Sequence, residues 1–234
     1  MPQAGGHDIY SQVPLRHLLN QQMRALMPDL QRCSGPHALW LTAAVAAPAP
    51  VLPLLGHWVQ LSAGQRYGGD LLAAIDEPLP FTDDAFDLVL LRHALEVLPT
   101  AAELLHEAVR VLAPDGVLVV TGIHPGSVWA PWFYWRSRGL QRQLWAPWRL
   151  CRLLRQGGLA VERVQRVGRL WPSERESAHD HSVLGGGYVL IARKRRVSLI
   201  PLRVNAQMRR APVAAQWLPG AQRSSVCWSP FLDA

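Results

Sequence analysis

With 234 residues, the chain has room for one domain and a tail, whereas two full domains would each be small. Its residues are 49% hydrophobic and 18% charged, which are values typical of a globular protein. The formal net charge is +7, and Lys194 is the only lysine, so arginine carries nearly all of the positive charge. A base-composition bias of the genome accounts for this usage better than a specific phosphate or carboxylate partner does.

The cysteines and the hydrophobic pattern exclude several classes of protein. Cys33, Cys151 and Cys227 are far apart and form no Cys-x-x-Cys pair, which argues against a disulfide scaffold or a zinc site. The N-terminus lacks a basic segment followed by an apolar core, and no apolar run reaches the ~18 residues that span a bilayer. We therefore expect a cytoplasmic protein without a metal site.

The chain is predicted to begin with an arm and one helix, which together occupy residues 1–36. Met1–Ser11 is predicted to be a loose arm. Leu15–Leu30 has its apolar residues at helical spacing, although Pro28 weakens its end. The apolar run His37–Ala44 then predicts the first strand of the folded domain.

Two further strands are predicted before the middle of the chain, at Trp58–Ser62 and Leu71–Ile75. The segment Ala63–Asp70 between them is shorter than the ~10–12 residues that usually join parallel strands. Either the usual crossover helix is missing or replaced, or one of these strands is wrongly predicted.

The middle of the chain has the pattern strand, helix, strand. Phe86–Leu91 and Val117–Ile123 are short apolar runs typical of strands buried on both faces. Thr100 is a candidate N-cap for the helix between them, with Glu103 as its capping-box partner, and Pro114 to Gly116 should end the helix and turn the chain. The helix has one apolar face, formed by Leu104, Leu105, Ala108, Val109 and Leu112. This spacing predicts a parallel, right-handed βαβ unit.

The last third of the chain is predicted to contain one helix and two strands. Gly139–Gln156 can form a helix interrupted at Pro147, and Leu159–Val167 and Tyr188–Ala192 have the patterns of strands. Gly185 to Gly187 is not a phosphate loop, because it precedes a strand instead of a helix.

A long loop and a basic tail complete the chain. The loop contains His179 and His181, which could ligate a metal, but no other ligand is in view and a solvated loop is the better interpretation. Residues 196–234, which follow the basic cluster that starts at Arg193, are predicted to be flexible.

Four pieces of the middle segment also carry a family resemblance. Leu79-Pro80-Phe81, Phe86-Asp87-Leu88-Val89, Leu95-Glu96 and Arg110-Val111-Leu112 before Pro114-Asp115-Gly116 resemble, in order and spacing, class I S-adenosylmethionine (SAM) dependent methyltransferases of the type-11 group. The resemblance covers residues 37–195. It implies an α/β, Rossmann-like, doubly wound fold with a mostly parallel seven-stranded sheet and an antiparallel last hairpin.

The resemblance also implies where the cofactor SAM would bind. The loop after the first strand would approach the cofactor, although no glycine lies between residues 37 and 55. Gln60 stands where the family has a ribose-binding acid, and an acid after the third strand would receive the adenine amino group. Arg92 ends the fourth strand. The residues expected to contact the cofactor are Ala43, Ala44, Gln60, Ser62, Asp76, Glu77, Arg92 and His93.

Two histidines are candidates for catalysis. His93 or His124 could act as a base, since histidine titrates near neutrality. Alternatively, His93 is hydrogen-bonded at the strand end and His124 stabilises a turn. The turn from Pro125 to Trp129 resembles that of a bacterial subgroup of these methyltransferases, so His124 and Trp129 are expected to contact the substrate.

Residues 129–155 combine five tryptophans with six arginines. This segment could form a lid over an apolar acceptor, or a helix that lies on a membrane surface. The alternative is an ordinary linking helix with tryptophan inward and arginine outward. Nucleic acid is not expected as a partner, because no RNA-binding motif accompanies the segment.

The predicted function is therefore that of a SAM-dependent methyltransferase acting on an unidentified small molecule, either apolar or amphipathic. The alternative is a non-catalytic binding or scaffold protein that keeps the methyltransferase fold but has lost SAM binding. The missing glycines, Gln60 and the shortened crossover favour that alternative, and the fold is shared by both.

Overall fold

Eight strands form one sheet in a computed structural model, which describes residues 9–43, 48–138, 141–173 and 185–195. Their order across the sheet is β4-β3-β2-β1-β5-β6-β8-β7. The strands are β1 (Gly35–Thr42), β2 (Leu55–Ser62), β3 (Arg66–Gly69), β4 (Ala73–Ala74), β5 (Phe86–Arg92), β6 (Leu112–Ile123), β7 (Leu159–Val167) and β8 (Gly187–Lys194).

Five helices accompany the sheet within the described ranges. They are α1 (Val13–Leu30), α2 (Ala94–Val97), α3 (Ala101–Val111), α4 (Trp129–Arg136) and α5 (Pro147–Gln156). A single turn of 3₁₀ helix, Ile9–Ser11, precedes α1.

The centre of the sheet is parallel, as the sequence predicts. β1 pairs in parallel with β2 on one side and with β5 on the other, and β5 pairs in parallel with β6. β8 runs antiparallel to both β6 and β7, so the predicted antiparallel last hairpin is confirmed. The sheet has eight strands instead of the predicted seven because an extra antiparallel strand, β3, lies beside β2.

The two faces of the sheet have separate cores because side chains alternate along each strand. One core joins Leu39, Val89 and Leu118 to the apolar faces of α3 and α5. The other joins Trp40 and Leu90 to the C-terminal half of α1. Helices on both faces make the fold doubly wound, as predicted.

A hairpin replaces the crossover helix that usually joins the second and third strands, which is one of the alternatives that the short interval left open. β3 folds back on β2, with Leu61 opposite Gly69, and β4 then pairs antiparallel with β3. A Cβ atom at Gly69, where φ is +132°, would lie 2.2 Å from the Gln60 carbonyl oxygen, so only glycine fits there. The predicted third strand, Leu71–Ile75, is reduced to two paired residues.

The βαβ unit of the middle segment is confirmed, but its caps differ from the prediction. Thr100 is the N-cap of α3, yet its hydroxyl donates to the carbonyl of Ile75 and makes no cap hydrogen bond, so the predicted capping box with Glu103 is wrong. The helix ends at Val111. Pro114 to Gly116 lies within β6, at an irregularity of its pairing with β5, with Asp115 at a φ of +65°.

The predicted helix Gly139–Gln156 is wrong in its first half. Residues 141–146 are not helical, and α5 begins at Pro147, whose ring suits the first turn of a helix and no later position. Cys151 and Leu154 of α5 pack into the core, whereas Arg152 and Arg155 are exposed. In α5 the arginines point outward, as the linking-helix interpretation expects, but its tryptophan, Trp148, is 71% exposed instead of packed inward.

Three tight contacts explain the glycines before β8. A Cβ atom at Gly186 would lie 2.0 Å from the Trp129 ring, one at Gly185 would meet the backbone of Val167, and one at Gly187 would meet the Gln22 side chain. The three glycines Gly185 to Gly187 therefore allow the backbone to approach Trp129, Val167 and Gln22 closely.

The arm predicted for residues 1–11 is packed at its end. Ile9 is 1% and Tyr10 2% exposed, and both lie against the N-terminal half of α1. No helix in the described part of the chain is long and apolar enough to cross a membrane. His179, His181 and the tail 196–234 lie outside the described residues; the three domain boundaries and the cytoplasmic location stay predictions.

Candidate active site

The site expected from the fold lies where the parallel strands end, an edge that we call the carboxyl edge. Thr42, Ser62 and Arg92 are the last residues of β1, β2 and β5, and the pairing places Thr42 opposite both of the others. The strand order changes direction between β1 and β5, and open α/β sheets bind their ligands at such a point.

His93, the first residue after β5, is fully buried and held on both sides. Its Nδ1 lies 2.9 Å from Oε2 of Glu96, and its Nε2 lies 2.8 Å from Oε1 of Gln22 on α1. The backbone at His93 has a φ of +56°, and its N–H donates to the Thr121 carbonyl. The histidine is thus hydrogen-bonded at the strand end, which was the alternative to a base.

Glu96 is the centre of this buried polar network. Its carboxylate accepts hydrogen bonds from the Tyr10 hydroxyl, at 2.9 Å, and from the Ile123 N–H. Gln22 also donates through Nε2 to the carbonyls of Gly122 and Tyr188. The network therefore ties the N-terminal segment and α1 to the ends of β5 and β6.

The tyrosine beside this network, Tyr188, is completely buried. Burial first, and then the negative charge of Glu96, raise the pKa of its hydroxyl well above the ordinary value. The hydroxyl therefore stays protonated at neutral pH.

The position after β1 is also enclosed. Ala43 is 6% exposed and belongs to an apolar cluster with Ile9, Leu19 and Phe133. Its N–H donates to the Arg92 carbonyl, and its neighbour Ala44 lies outside the described residues.

At β2, the predicted ribose ligand Gln60 and the predicted cofactor contact Ser62 are both hydrogen-bonded within the protein. The Ser62 hydroxyl donates to the Gly68 carbonyl at 2.9 Å. Gln60 lies opposite Trp40, two residues before the carboxyl edge, and its amide oxygen accepts a hydrogen bond from Ala49 N–H. The residues of β2 include no carboxylate, but the Asp70 carboxylate of the hairpin accepts a hydrogen bond from Gln60 N–H at 2.7 Å.

Asp76 and Glu77 follow β4, whose direction matches that of β2 because β3 runs opposite to both. They line a cavity of about 320 Å³ between this segment and α3. Tyr67 also lines the cavity and is 2% exposed; burial first, and then the charges of Glu107 and Glu103, raise the pKa of its hydroxyl to about 12.

An arginine fixes the segment between this cavity and β5. Arg110 of α3 donates to the carbonyls of Leu79 and Phe81 and pairs with Glu107 and Asp83. The hydrogen bond from Arg110 is the largest cause that lowers the pKa of the Glu107 carboxyl. The type-11 sequence pattern Leu-Pro-Phe therefore has a structural reason in this chain.

Arg92 is 8% exposed, and its guanidinium carbon lies 5.5 Å from the centre of the Trp40 ring. Burial lowers the pKa of the guanidinium to about 10, so it remains charged at neutral pH. Among the described residues it has no ion pair and no hydrogen bond from its side chain.

His124 lies in the turn after β6 and is half-buried. Its Nδ1 accepts a hydrogen bond from Gly126 N–H at 3.1 Å, and its carbonyl accepts from the Ser127 hydroxyl at 2.6 Å. Burial first, and then Arg166, lower the pKa of the ring, so His124 is neutral at pH 7.

Trp129 is 2% exposed and packs against Gly186 and Trp132, with its Nε1 donating to the Arg169 carbonyl. Trp132 and Trp135 line a separate, open cavity of about 380 Å³ next to the start of α1. The structure therefore holds Trp129 in the core and leaves Trp135 and Trp148 on the surface, 56% and 71% exposed.

Gln22, Tyr10 and Tyr67 were not predicted from the sequence as residues of this region. Gln22 had a usable signal, because it is a polar residue on the apolar side of the predicted helix. Tyr10 and Tyr67 had none, since their partners lie 86 residues away along the chain or across an unpredicted hairpin.

The comparisons with known proteins agree with this architecture. Residues 59–120 match the type-11 family described as "Methyltransferase domain". A SAM-dependent methyltransferase from Archaeoglobus fulgidus has a TM-score of 0.55 at 14% identity, covering 78% of this chain and 95% of that one. Another from Thermotoga maritima has a TM-score of 0.53 at 16% identity, covering 80% and 93%.

One curated relative is similar over a shorter stretch. Phthiotriol/phenolphthiotriol dimycocerosates methyltransferase 1 of Mycobacterium ulcerans is 40% identical over 65 residues, which are 28% of this chain and 24% of that protein. The chain thus matches about a quarter of the relative's length.

The sheet order and the solved structures together define a class I methyltransferase fold. Within the chain, residues 59–120 are similar to the type-11 group, and this similarity covers the part from β2 to β6.

The chemistry of the carboxyl edge fits SAM in part. Carboxylates at Asp76 and Glu77 suit an amino group of adenine, and the cation of Arg92 suits the negative end of the cofactor. Within the described part of the chain, the end of β2 itself carries no carboxylate, so a ribose bound there would lack a charge-assisted contact from this strand.

Proposed function

We propose that this protein is a SAM-dependent methyltransferase that acts on a small molecule. The observation that supports this most is the family match over residues 59–120, which runs from β2 to β6 and includes the cavity at Asp76. The non-catalytic alternative has no support in the comparisons.

The residues proposed to hold the cofactor lie along the carboxyl edge. Asp76 accepts a hydrogen bond from the adenine amino group, with Glu77 beside it, and the backbone of Ala43 approaches the cofactor at the end of β1. When bound, SAM supplies an activated methyl group, and the protein accelerates the transfer mainly by positioning the acceptor in line with it. Gln60 and Ser62 contribute to cofactor binding only through the hydrogen-bonding capacity that remains beyond their bonds to Ala49 N–H and the Gly68 carbonyl.

For a base, we place His124 before His93. The pKa of His124 is lowered, so its ring is a neutral imidazole, and its basic Nδ1 accepts one exposed hydrogen bond, from Gly126 N–H at 3.1 Å, which an acceptor's proton would have to displace. His93 has both nitrogens engaged within the Glu96 network, and we propose that it positions the turn after β5.

The acceptor is proposed to be apolar or amphipathic. The open cavity beside α1 is lined by the rings of Trp132, Trp135, Pro14 and Pro172 and also by Gln12 and Arg136, and this mixture of rings and polar groups favours an amphipathic ligand.

Calorimetric titration with SAM and S-adenosylhomocysteine tests the proposal. We expect heat with both and dissociation constants of at most about 100 μM, about −5.5 kcal/mol. Well-folded protein that gives no heat with either compound would refute a SAM-dependent activity.

The Asp76 contact is tested by the substitution Asp76→Asn. Because the amide keeps an acceptor and loses the charge, we expect the affinity for S-adenosylhomocysteine to fall about tenfold, ~1.4 kcal/mol. Asp83→Asn is the matched control, since Asp83 pairs with Arg110 outside the cavity and should leave the affinity unchanged. Equal losses in both variants would argue against the contact.

A membrane surface is a second proposed partner, through the segment 129–155. Trp135 and Trp148 are exposed on the same segment as Arg149 and Arg152, which are exposed as well. Interfacial tryptophan with arginine favours anionic lipid.

Flotation with vesicles of phosphatidylserine and phosphatidylcholine tests this surface. We expect Trp135→Ala combined with Trp148→Ala to lower binding about tenfold. Val51→Ala combined with Leu72→Ala, which removes two other exposed apolar side chains, should have no effect. Wild-type protein that stays with the sedimented fraction would refute the membrane contact.

A further inference from the structure

Three buried donor groups lack partners at the carboxyl edge. The Arg92 guanidinium has no ion pair or hydrogen bond with the described residues, and Thr121 Oγ1 and Trp40 Nε1 are buried atoms without a hydrogen-bond partner there. Buried polar groups in folded proteins are nearly always paired, so three together need an explanation.

The three groups lie on one face of the sheet. Arg92 is paired directly with Thr121 across β5 and β6, and with the end of β1 on its other side. Trp40 lies two residues earlier on β1, and its ring is under the guanidinium at 5.5 Å. This is the face that α1 covers, where the neighbouring core side chains are apolar.

No carboxylate compensates the charge of Arg92. Burial is the one cause that shifts the pKa of Arg92, and no acidic group of the described chain contributes to the shift. An unpaired cation out of water is costly, although the Trp40 ring offsets part of that cost. Proteins tolerate such a destabilising group mainly at functional sites. An unpaired buried cation is therefore expected where a bound ligand supplies its partner.

We propose that Arg92 and Thr121 form a binding site for a carboxylate that enters at the carboxyl edge. The planar guanidinium donates two parallel hydrogen bonds to both oxygens, the Thr121 hydroxyl donates a third, and Trp40 fixes the plane of the guanidinium. The carboxylate belongs either to the methionine end of the cofactor, in which case the inference rests on the proposed function, or to an acidic acceptor.

The first test needs no ligand. Arg92→Met removes an unpaired buried cation and keeps the apolar stem, so we expect the melting temperature of the free protein to rise by about 2–4 °C. Arg110→Met is the control in the opposite direction, because Arg110 is fully paired and its loss should lower the melting temperature. A lower melting temperature for Arg92→Met would overturn the proposal, since Arg92 would then be structural.

The second test separates the two sources of the carboxylate. S-adenosylhomocysteine carries the amino-acid carboxylate and 5′-methylthioadenosine lacks it. If the cofactor supplies the carboxylate, Arg92→Met lowers the affinity for S-adenosylhomocysteine at least about tenfold and the affinity for 5′-methylthioadenosine less than about twofold. If an acceptor supplies it, both affinities stay unchanged, and 10 mM butyrate or benzoate raises the melting temperature of the wild type and not of Arg92→Met.

The outcomes keep this proposal distinct from the proposed function. Wild-type protein that binds neither nucleoside refutes the methyltransferase activity, and the butyrate and benzoate measurements then decide the carboxylate site alone. If neither the nucleosides nor the carboxylates distinguish Arg92→Met from the wild type, the carboxylate site is refuted.

Discussion

Replacing Glu96 with alanine is expected to destabilise the protein by about 3–5 kcal/mol, measured as the free energy of unfolding in urea. Glu96 is 2% exposed, and its carboxylate receives hydrogen bonds from Tyr10 and Ile123 and lies against the ring of His93. Alanine would remove the acceptor that the Tyr10 hydroxyl and the Ile123 N–H share and the partner of His93 Nδ1, and a cavity would remain between α2 and β6.

Glu96→Gln is the matched control for this prediction. Its amide keeps the shape and one acceptor oxygen, so we expect a loss of about 1–2 kcal/mol. A loss below about 1 kcal/mol for Glu96→Ala would contradict the account, because the network could then not hold the N-terminal segment on the end of the sheet.

Trp129→Ala is expected to destabilise the protein by about 3–5 kcal/mol, without a specific effect on ligand affinity in the folded fraction. The ring is 2% exposed, lies against Gly186, and donates a hydrogen bond to the Arg169 carbonyl. Thermal unfolding and calorimetric titration of the same sample separate the two effects.

Trp135→Ala is the matched control, since Trp135 is 56% exposed and its loss should cost less than about 1 kcal/mol. A stable Trp129→Ala variant with a reduced affinity for an acceptor would instead support the substrate contact predicted from the sequence.

The central strands could be predicted because their physics is local. β1, β5 and β6 are continuous apolar runs, and strands buried on both faces require such runs. β7 was predicted from its alternation of apolar and polar residues, and the complete fold was implied by the family resemblance.

The β2–β3 hairpin could not be predicted from the same rules. β3 consists of Arg66–Gly69, which has no alternating pattern, and it forms because Gly69 permits a close approach to Gln60. The short interval between the predicted strands did reveal that the helix was absent, but not what replaced it.

The sequence predicted where the residues of the candidate site lie better than it predicted what each residue does. The register places Arg92 and Ser62 at the carboxyl edge, as expected from the strand ends. The surroundings of His93 depend on Gln22 and Tyr10, which are 71 and 83 residues away, and no local pattern encodes contacts of that range.

The most direct test of the central claim is backbone hydrogen exchange with and without S-adenosylhomocysteine. We expect slower exchange at Ala43, Ala63, Asp76 and His93, which follow the ends of β1, β2, β4 and β5, and unchanged exchange in α5. Protection confined to α5 or to β7, or no protection at a concentration that saturates the titration, would contradict a cofactor bound at the carboxyl edge.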